Sequence, residues 1–310
     1  MRAIRIVNGQ PELQEIPLPD GEGVVVTVAT SSICGSDIHL IDAGLADGMI
    51  LGHEFCGTAP DGTPVAVEPM ASCGACPSCL DGYLGTCAGG ARFYGIGLDG
   101  GMAEQVLVPA DSLVPLPSGV PLRAGSLIEP LAVAHHGIER ARVTDQDRVA
   151  VIGAGPIGLA TVALLAHQGI TADISARHPH QQHAAERLGG HLGLSDGYDV
   201  VIDAVATSES LSTAVAHLRP RGRIGLVGTI WGETALGIGA CTREVEILPA
   251  MTYRCRVPGR DFEHAARALA ERPEITDAII SHRFPLDGCQ EAFVAAHDRS
   301  SGAIKVAFTI

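Results

Sequence analysis

Four cysteines crowd into one short segment in the first third of the chain. They are Cys73, Cys76, Cys79 and Cys87. Gaps of two residues let a turning loop present successive thiolates to one ion, and zinc prefers four such ligands in a tetrahedron. Four thiolates leave no open position, so the spacing predicts a structural zinc site. Two disulfides, idle thiols or an iron–sulfur cluster are the alternatives, and the spacing in a cytoplasmic chain favours zinc over them.

A second set of ligand and proton-transfer residue types is dispersed over the first 130 residues. Its members are Cys34, Ser36, His39, His53, Glu54 and Glu129. Taken alone, His53 is more often a hydrogen-bonded structural histidine than a metal ligand. Glu129 lies in an apolar segment, where a buried carboxylate needs a cation or a metal. The other interpretation of Glu129 is a helix-end charge in water, and the residues alone leave both interpretations open.

A glycine-rich turn stands near the middle of the chain. It consists of Gly153, Ala154, Gly155, Pro156, Ile157 and Gly158. The turn follows an apolar strand predicted over residues 149–152 and opens a helix predicted over residues 159–168. In this context the glycines permit a tight turn and a close approach of pyrophosphate to a helix N-terminus. We therefore predict dinucleotide binding, and the alternative is a set of packing glycines in an ordinary strand–turn–helix.

The elements that must position these residues change in kind along the chain. The first 120 residues contain short β-rich segments with frequent turn signals, and a helix over residues 122–140 should be kinked or divided by Pro130. Strands predicted at 149–152, 172–176, 200–203 and 224–227 then alternate with helices that include residues 159–168 and 210–218. A helix at 262–271 and a strand at 303–310 follow. The alternation predicts an α/β fold with a parallel sheet.

The charge and hydrophobic pattern of the chain limit the kinds of molecule that it is expected to bind. The 310 residues carry 21 Lys and Arg against 35 Asp and Glu, a formal net charge of −14 that argues against nucleic-acid binding. The uncharged run 149–166 has the length of a membrane span, but its glycines and proline favour a buried strand, turn and helix. The N-terminus lacks the apolar core of a signal peptide. We expect a cytoplasmic protein that binds small molecules, neither nucleic acid nor membrane.

Taken together, these ordered motifs resemble the zinc-dependent medium-chain alcohol dehydrogenases. The sorbitol, threonine and butanediol dehydrogenase branch is the most similar, and the resemblance extends to the closing Gly302-Ala-Ile-Lys305-Val306. It implies a GroES-like distorted β-barrel catalytic domain from residues 1–130 and 254–310. Residues 131–253 would form a Rossmann domain, a doubly wound parallel sheet, and the active site would lie where the two domains meet. Members of this family are usually homodimers or homotetramers.

The resemblance also implies how the dispersed residues act. Cys34, His53 and Glu129 would hold a catalytic zinc, with Glu54 beside it as an exchanging or outer ligand. With the four-cysteine site, this gives two zinc ions per chain. The reaction would be hydride transfer between a small secondary alcohol, or its ketone, and a nicotinamide cofactor.

Ser36 would accept the substrate proton and pass it, by way of the cofactor ribose, to His39.

One alternative function is that of a zinc-independent quinone or enoyl reductase of the same superfamily. Another is a non-catalytic protein that binds zinc and a nucleotide. The filled ligand positions argue against the first, and the presence of Ser36 and His39 argues against the second.

The type of nicotinamide cofactor depends on the end of the second strand of the Rossmann domain. Asp173 has the spacing of a ribose-binding acid but lies early in that strand. The strand ends instead at Ala176, Arg177 and His178, where an arginine suits the 2′-phosphate of NADP. We therefore predict NADP as the preferred cofactor, with NAD as the alternative and His180 as a further contact. Two more cofactor-binding candidates are Val205 and Val227.

Overall fold

Strands dominate the first part of the chain, strands that alternate with helices occupy its middle, and three α-helices and two strands form its last part. The computed structural model describes residues 1–310, apart from the side chain of Arg299. The strands, in chain order, are β1 (Arg2–Val7), β2 (Gln10–Glu15), β3 (Val24–Ser32), β4 (Glu54–Thr58), β5 (Pro64–Val67), β6 (Met70–Ala71), β7 (Arg92–Tyr94), β8 (Gly97–Leu98), β9 (Gln105–Val108), β10 (Leu113–Pro115), β11 (Val149–Ile152), β12 (Ala172–Ser175), β13 (His191–Leu192), β14 (Tyr198–Asp203), β15 (Leu218–Leu226), β16 (Glu246–Pro249), β17 (Ile280–Pro285) and β18 (Lys305–Thr309).

The α-helices begin close to where capping residues and prolines place them. They are α1 (Gly35–Asp42), α2 (Pro77–Leu80), α3 (Ile128–Arg140), α4 (Pro156–His167), α5 (Pro179–Arg187), α6 (Ser208–His217), α7 (Ile238–Thr242), α8 (Asp261–Glu271), α9 (Glu274–Ile279) and α10 (Cys289–His297). The helical segment predicted over residues 122–140 is divided, as expected for a segment that contains Pro130. Its first part is the 3₁₀ helix Leu122–Leu127, and Pro130 lies in the first turn of α3, where a missing N–H costs little.

The chain divides into two units. The first contains Met1–Glu129 and Arg254–Ile310, and the second contains Pro130–Tyr253. In the first unit, β10, β5, β4, β3, β18 and β17 form a sheet in that order, and β9 pairs with β3. Alternate side chains of β3, β4, β5 and β9 point to one apolar core. Strand β3 pairs with both β4 and β18, so its carboxyl end lies beside the first residue of β4 and near the start of β18.

The second unit is a six-stranded parallel sheet in the order β13-β12-β11-β14-β15-β16. The chain runs outward from β11 in one direction and then outward from β14 in the other. Its order therefore reverses between these two strands, which is where open α/β sheets bind ligands. The sheet confirms the α/β prediction. Strand β15 begins at Leu218, six residues earlier than expected, because it starts as soon as α6 ends.

No helix among the described residues combines the length and the apolar character needed to cross a membrane. The uncharged run 149–166 instead forms β11, the glycine turn and most of α4. Residues 158–165 of helix α4 are all buried, so every side of the helix is covered there. This burial explains its continuous apolar sequence.

Candidate functional site

The four cysteines form one cluster. Every ligand atom of Cys73, Cys76, Cys79 and Cys87 lies within 4.8 Å of the others. The Sγ atom of Cys79 is 3.5 Å from that of Cys76 and 3.9 Å from that of Cys73. A tetrahedron with zinc–sulfur bonds of about 2.3 Å has edges of about 3.8 Å, so these separations fit zinc without rearrangement. The cysteines are free thiols rather than disulfides.

Backbone N–H groups favour the thiolate form in this cluster. The N–H groups of Ala75 and Cys76 lower the pKa of the Cys73 thiol to about 6. Cys73 therefore supplies a thiolate at neutral pH, which is the form that binds a metal. Pro77 at the start of α2 continues the turn after Cys76. The donor set and its spacing fit a closed, structural zinc site.

A second cluster brings together residues from two distant turns of the first unit. Cys34 caps α1 directly after β3, and His53 and Glu54 lie where the chain enters β4. Ligand atoms of Cys34, His53 and Glu54 all lie within 4.8 Å of one another. Gly52 makes this entry possible, because its φ is +99° and a Cβ there would lie 2.7 Å from the backbone N of Met102.

Asp37 supports this cluster, although no sequence pattern pointed to it as a functional residue. Its carboxylate is fully buried and accepts a hydrogen bond from the N–H of Cys34 at 2.8 Å. Its other oxygen lies 3.5 Å from Nδ1 of His53. Metal-binding histidines usually have such a carboxylate behind them, which leaves the second ring nitrogen for the ion.

The negative charges around His53 favour a cation in this cluster. Burial alone would lower the pKa of His53, but the Asp37 carboxylate and the Cys34 thiolate raise it well above its ordinary value. A proton on the imidazole is one way to balance these anions, and a metal ion is another. A cysteine, a histidine and a carboxylate whose ligand atoms converge in this way fit zinc.

Glu54 has a strong partner that the sequence did not reveal. Both of its carboxylate oxygens accept hydrogen bonds from Nζ of Lys305, at 2.6 and 2.7 Å. Lys305 also donates to the carbonyl of Ile33 at 3.2 Å. Burial would lower the pKa of Lys305, but Glu54, Cys34 and Glu129 together raise it above its ordinary value. The amine is therefore charged, and it holds the carboxylate of Glu54 in place.

Glu129 lies in the first turn of α3 and is 7% exposed. Across the described chain, the group of ligand atoms within 4.8 Å contains Glu54 rather than Glu129. Glu129 is close enough for its charge to raise the pKa of Lys305. Its coordination of zinc stays a prediction.

Ser36 and His39 lie one turn apart on α1. The hydroxyl of Ser36 is 3.4 Å from Nε2 of His53, at the ring nitrogen that faces away from Asp37. Ser36 is half-buried and His39 is exposed. The pair thus leads from the cluster toward solvent along one side of the helix.

The glycine turn of the second unit has the shape that its sequence predicts. Gly153 has a φ of +94°, and a Cβ at Gly158 would lie 1.8 Å from the carbonyl oxygen of Gly153. A Cβ at Gly155 would meet nothing within 4 Å, so open space lies in front of the N-terminus of α4. Pro156 occupies the first turn of that helix, followed by Ile157. This open cradle at a helix N-terminus fits a pyrophosphate group.

Asp173 and Arg177, the two candidates for contact with the cofactor ribose, have different surroundings. Asp173 accepts hydrogen bonds from the hydroxyls of Tyr198 at 2.5 Å and Ser195 at 3.3 Å. Its carboxylate is thus engaged near the start of the strand. Arg177, after the strand, is exposed and 3.7 Å from Glu209.

Three further candidates surround the glycine turn or follow Arg177. The rings of His178 and His180 stack with centroids 5.4 Å apart. Val205 lies against the turn, because a Cβ at Gly153 would be 2.5 Å from its Cγ2 atom. Val227 is buried after β15 and packs closely on Gly137 of α3.

Comparison with known proteins decides the family. The alcohol dehydrogenase GroES-like domain family matches residues 20–118, and the glucose dehydrogenase C-terminus family matches residues 122–310. The chain belongs to the zinc-type medium-chain alcohol dehydrogenases, in their polyol dehydrogenase branch. The resemblance noted from the motifs is confirmed, as are the GroES-like and Rossmann domains and the dehydrogenase class.

Individual members of this family match most of the chain. A probable D-xylulose reductase A of Arthroderma otae is 33% identical over 78% of this chain and 80% of its own length. An alcohol dehydrogenase of Escherichia coli CFT073, solved with NADH, superposes with a TM-score of 0.86 at 25% identity over 100% of this chain and 99% of its own. A zinc-binding dehydrogenase of Sinorhizobium meliloti bound to NADP superposes with a TM-score of 0.83 at 26% identity, over 100% of this chain and 99% of its own. This medium-chain dehydrogenase transfers hydride between an alcohol and a nicotinamide cofactor.

Proposed function

We propose that this chain is an NADP-preferring, zinc-dependent dehydrogenase that oxidises a secondary alcohol of the polyol class or reduces the matching ketone. The observation that carries the proposal is the convergence of half-buried Cys34 with buried His53 and Glu54, backed by Asp37. A zinc-independent reductase would have no need of these converging ligands. The name of the xylulose reductase relative supports a hydroxylated substrate.

Cys34 and His53 would hold the catalytic zinc, with Glu129 as the third protein ligand. Glu54, which Lys305 holds by both oxygens, would serve as the exchanging or outer carboxylate. The four-cysteine cluster would hold the second, structural zinc. When bound, the catalytic zinc would act as a Lewis acid toward the substrate oxygen.

Ser36 and His39 would carry the proton of the reaction. When bound, the nicotinamide cofactor would supply the hydride acceptor for the oxidation. Ser36 would take the proton of the substrate hydroxyl, and the proton would then reach His39, one turn further along α1, whose exposure allows release to water. In the reduction each transfer runs in the opposite direction, so the same two residues supply the proton.

Arg177 is the basis for the NADP preference. It follows β12 with an exposed guanidinium, while Asp173 is bonded to Tyr198 and cannot reach a ribose from that position. The S. meliloti relative with NADP shows that this fold accommodates a 2′-phosphate, and the E. coli relative with NADH shows that it also accommodates the unphosphorylated cofactor. The guanidinium would pair with the 2′-phosphate, and His178 and His180 stand beside it.

The Arg177→Ala substitution tests this preference. A charged hydrogen bond is worth about 1.5 to 3 kcal/mol, so kcat/KM for NADP should fall roughly 10- to 150-fold while that for NAD barely changes. Arg221→Ala is a matched control, because Arg221 is also exposed and 3.8 Å from a glutamate. A wild-type enzyme with the higher kcat/KM for NAD would overturn the preference.

The activity itself is tested on protein whose zinc content has been measured. A panel of secondary alcohols, polyols and ketones is assayed with NADP, NADPH, NAD and NADH. We expect turnover of polyols or their ketoses and more than one zinc per chain. Activity that is unchanged after complete removal of zinc would support the zinc-independent reductase instead.

We further propose that the enzyme is a cytoplasmic homodimer or homotetramer. Sedimentation of the same preparation tests the oligomeric state.

A further inference from the structure

A buried carboxylate stands at the end of β14, in a place that the mechanism above does not use. Asp203 has no exposed surface. Its Oδ1 atom accepts hydrogen bonds from the backbone N–H groups of Val205 at 2.9 Å and Ala206 at 3.0 Å. Its Oδ2 atom accepts one from the hydroxyl of Ser210 at 2.7 Å. A buried anion with three donors is fixed in position, and so are the groups that donate to it.

These bonds impose an unusual backbone on the turn after β14. Ala206 has a φ of +61°, a conformation that residues other than glycine seldom adopt. The turn so formed places Val205 against Gly153, the first glycine of the cofactor turn, and leaves its side chain 40% exposed. Asp203 therefore fixes one wall beside the open cradle of the cofactor turn.

The same residue also fixes the end of the next strand. Its carbonyl oxygen accepts hydrogen bonds from the N–H groups of Val227 and Gly228, both at 3.0 Å. The two turns touch, because a Cβ at Gly228 would lie 2.7 Å from the carbonyl carbon of Val205. The side chain of Asp203 thus holds the turn after β14, and its backbone carbonyl links that turn to the end of β15.

The position of these turns in the sheet indicates which part of the cofactor they meet. The glycine turn follows β11, Arg177 follows β12 on one side, and Asp203 ends β14 on the other. A dinucleotide whose pyrophosphate lies at the glycine turn has its adenosine half toward β12 and its nicotinamide half toward β14 and β15. We propose that Asp203 is the positioning residue of the nicotinamide half of the cofactor site. The inference holds for NAD and NADP alike, so it does not depend on Arg177.

Binding of whole and truncated cofactor by zinc-loaded enzyme tests the inference, with calorimetry as the readout. In Asp203→Ala, the two freed N–H groups release the turn, and the Kd for NADPH and NADH should rise about tenfold or more. The Kd for 2′,5′-ADP and 5′-ADP, which lack the nicotinamide half, should stay within about twofold of the wild-type value. Arg177→Ala should show the opposite pattern toward NADPH and 2′,5′-ADP, with both weakened together.

Three further variants separate positioning from stability. Asp203→Asn retains an acceptor for Val205 and Ala206, so NADPH affinity should be restored to within about threefold. Ser210→Ala removes the bond to Oδ2 and a helix-capping contact, so it should lower Tm and leave NADPH affinity unchanged. Gly228→Ala displaces the same turn while the side chain of Asp203 is kept, and it should weaken binding of NADPH but not of 2′,5′-ADP even if Asp203→Ala fails to fold. Wild-type NADPH affinity in Gly228→Ala and Asp203→Ala, or equal loss of whole and truncated cofactor, would overturn the inference.

Discussion

The two metal-ligand clusters of this dehydrogenase are built in opposite ways. The four-cysteine cluster takes all its ligands from Cys73 to Cys87, and its nearest stabilising groups are backbone N–H groups of the same loop. The catalytic cluster joins Cys34 to His53 and Glu54, and its supporting charge comes from Lys305 at the far end of the chain. One site is local, and the other exists only when the β-sheet of the first unit is complete.

We propose that this difference gives the two clusters different roles toward a metal. The four thiolates would gain stability from the ion and would leave it no open position for a reaction partner. The catalytic cluster instead places Asp37 and Lys305 in the protein interior, where their charges fix the ligand side chains. We therefore expect changes in the catalytic cluster to affect turnover first and changes in the four-cysteine cluster to affect stability first.

The largest effect should follow from removal of a catalytic ligand. His53→Ala should lower kcat about 10³- to 10⁴-fold, because a Lewis-acid metal contributes several kcal/mol to the transition state. Metal analysis should show one zinc fewer per chain, with the four-cysteine site still loaded. Wild-type turnover in a variant that has lost this zinc would contradict the assignment.

Lys305→Met should cost about 3 to 5 kcal/mol of unfolding free energy, because it leaves the carboxylate of Glu54 buried without its counter-charge. Denaturant unfolding of the zinc-loaded protein measures the loss. The matched control is the double variant Glu54→Gln with Lys305→Met, which removes both charges and should recover most of the stability. Equal stability of the single variant and the wild type would show that the pair is not a strong constraint.

Ser36→Ala should lower kcat about 10²-fold, the usual contribution of a positioned proton-transfer group, with zinc content unchanged. Because Ser36 precedes the exposed His39 in the relay, the pH profile of kcat should change along with its magnitude. Steady-state kinetics between pH 5.5 and 9 provide the measurement. Full activity with an unaltered profile would eliminate the relay.

Cys79→Ser should have the smallest effect on chemistry and act mainly on stability. Loss of the structural zinc should lower the unfolding free energy by about 2 kcal/mol and Tm by roughly 4 to 8 °C. Turnover per remaining zinc should change little below the new Tm. Cys241→Ser, at an exposed cysteine outside the cluster, is the control. Equal melting of both variants, with two zinc ions retained in Cys79→Ser, would reject the structural site.

The contrast between the two clusters also explains what the sequence could predict. The four-cysteine cluster and the glycine turn are local, so spacing was enough to predict that the cysteines converge and that the turn joins a strand to a helix. The order of strands and helices likewise follows from hydrophobic patterns, although β15 is longer than its apolar core suggested. These features needed no knowledge of distant contacts.

Sequence patterns did not point to Lys305, Asp37 or Asp203. The first two have a partner that is distant in the sequence, and the third acts on backbone N–H groups, which no sequence pattern shows. Lys305 meets Glu54 only because β18 pairs with β3 and β3 pairs with β4. Asp37 is three residues after Cys34, yet nothing in the sequence shows that His53 lies on its other side. Asp203 reads as an ordinary strand residue until the turn that follows is seen to depend on it.

Diffraction at the zinc absorption edge, from a crystal of the active, zinc-loaded enzyme, shows directly whether the chain holds zinc at both clusters. We expect two anomalous peaks per chain, one among the sulfurs of the four-cysteine cluster and one in contact with Cys34 and His53. The density around the second peak also shows whether Glu129 or Glu54 completes its ligands. A single peak, at the four-cysteine cluster, in enzyme of full activity would contradict the assignment of a catalytic zinc to Cys34 and His53.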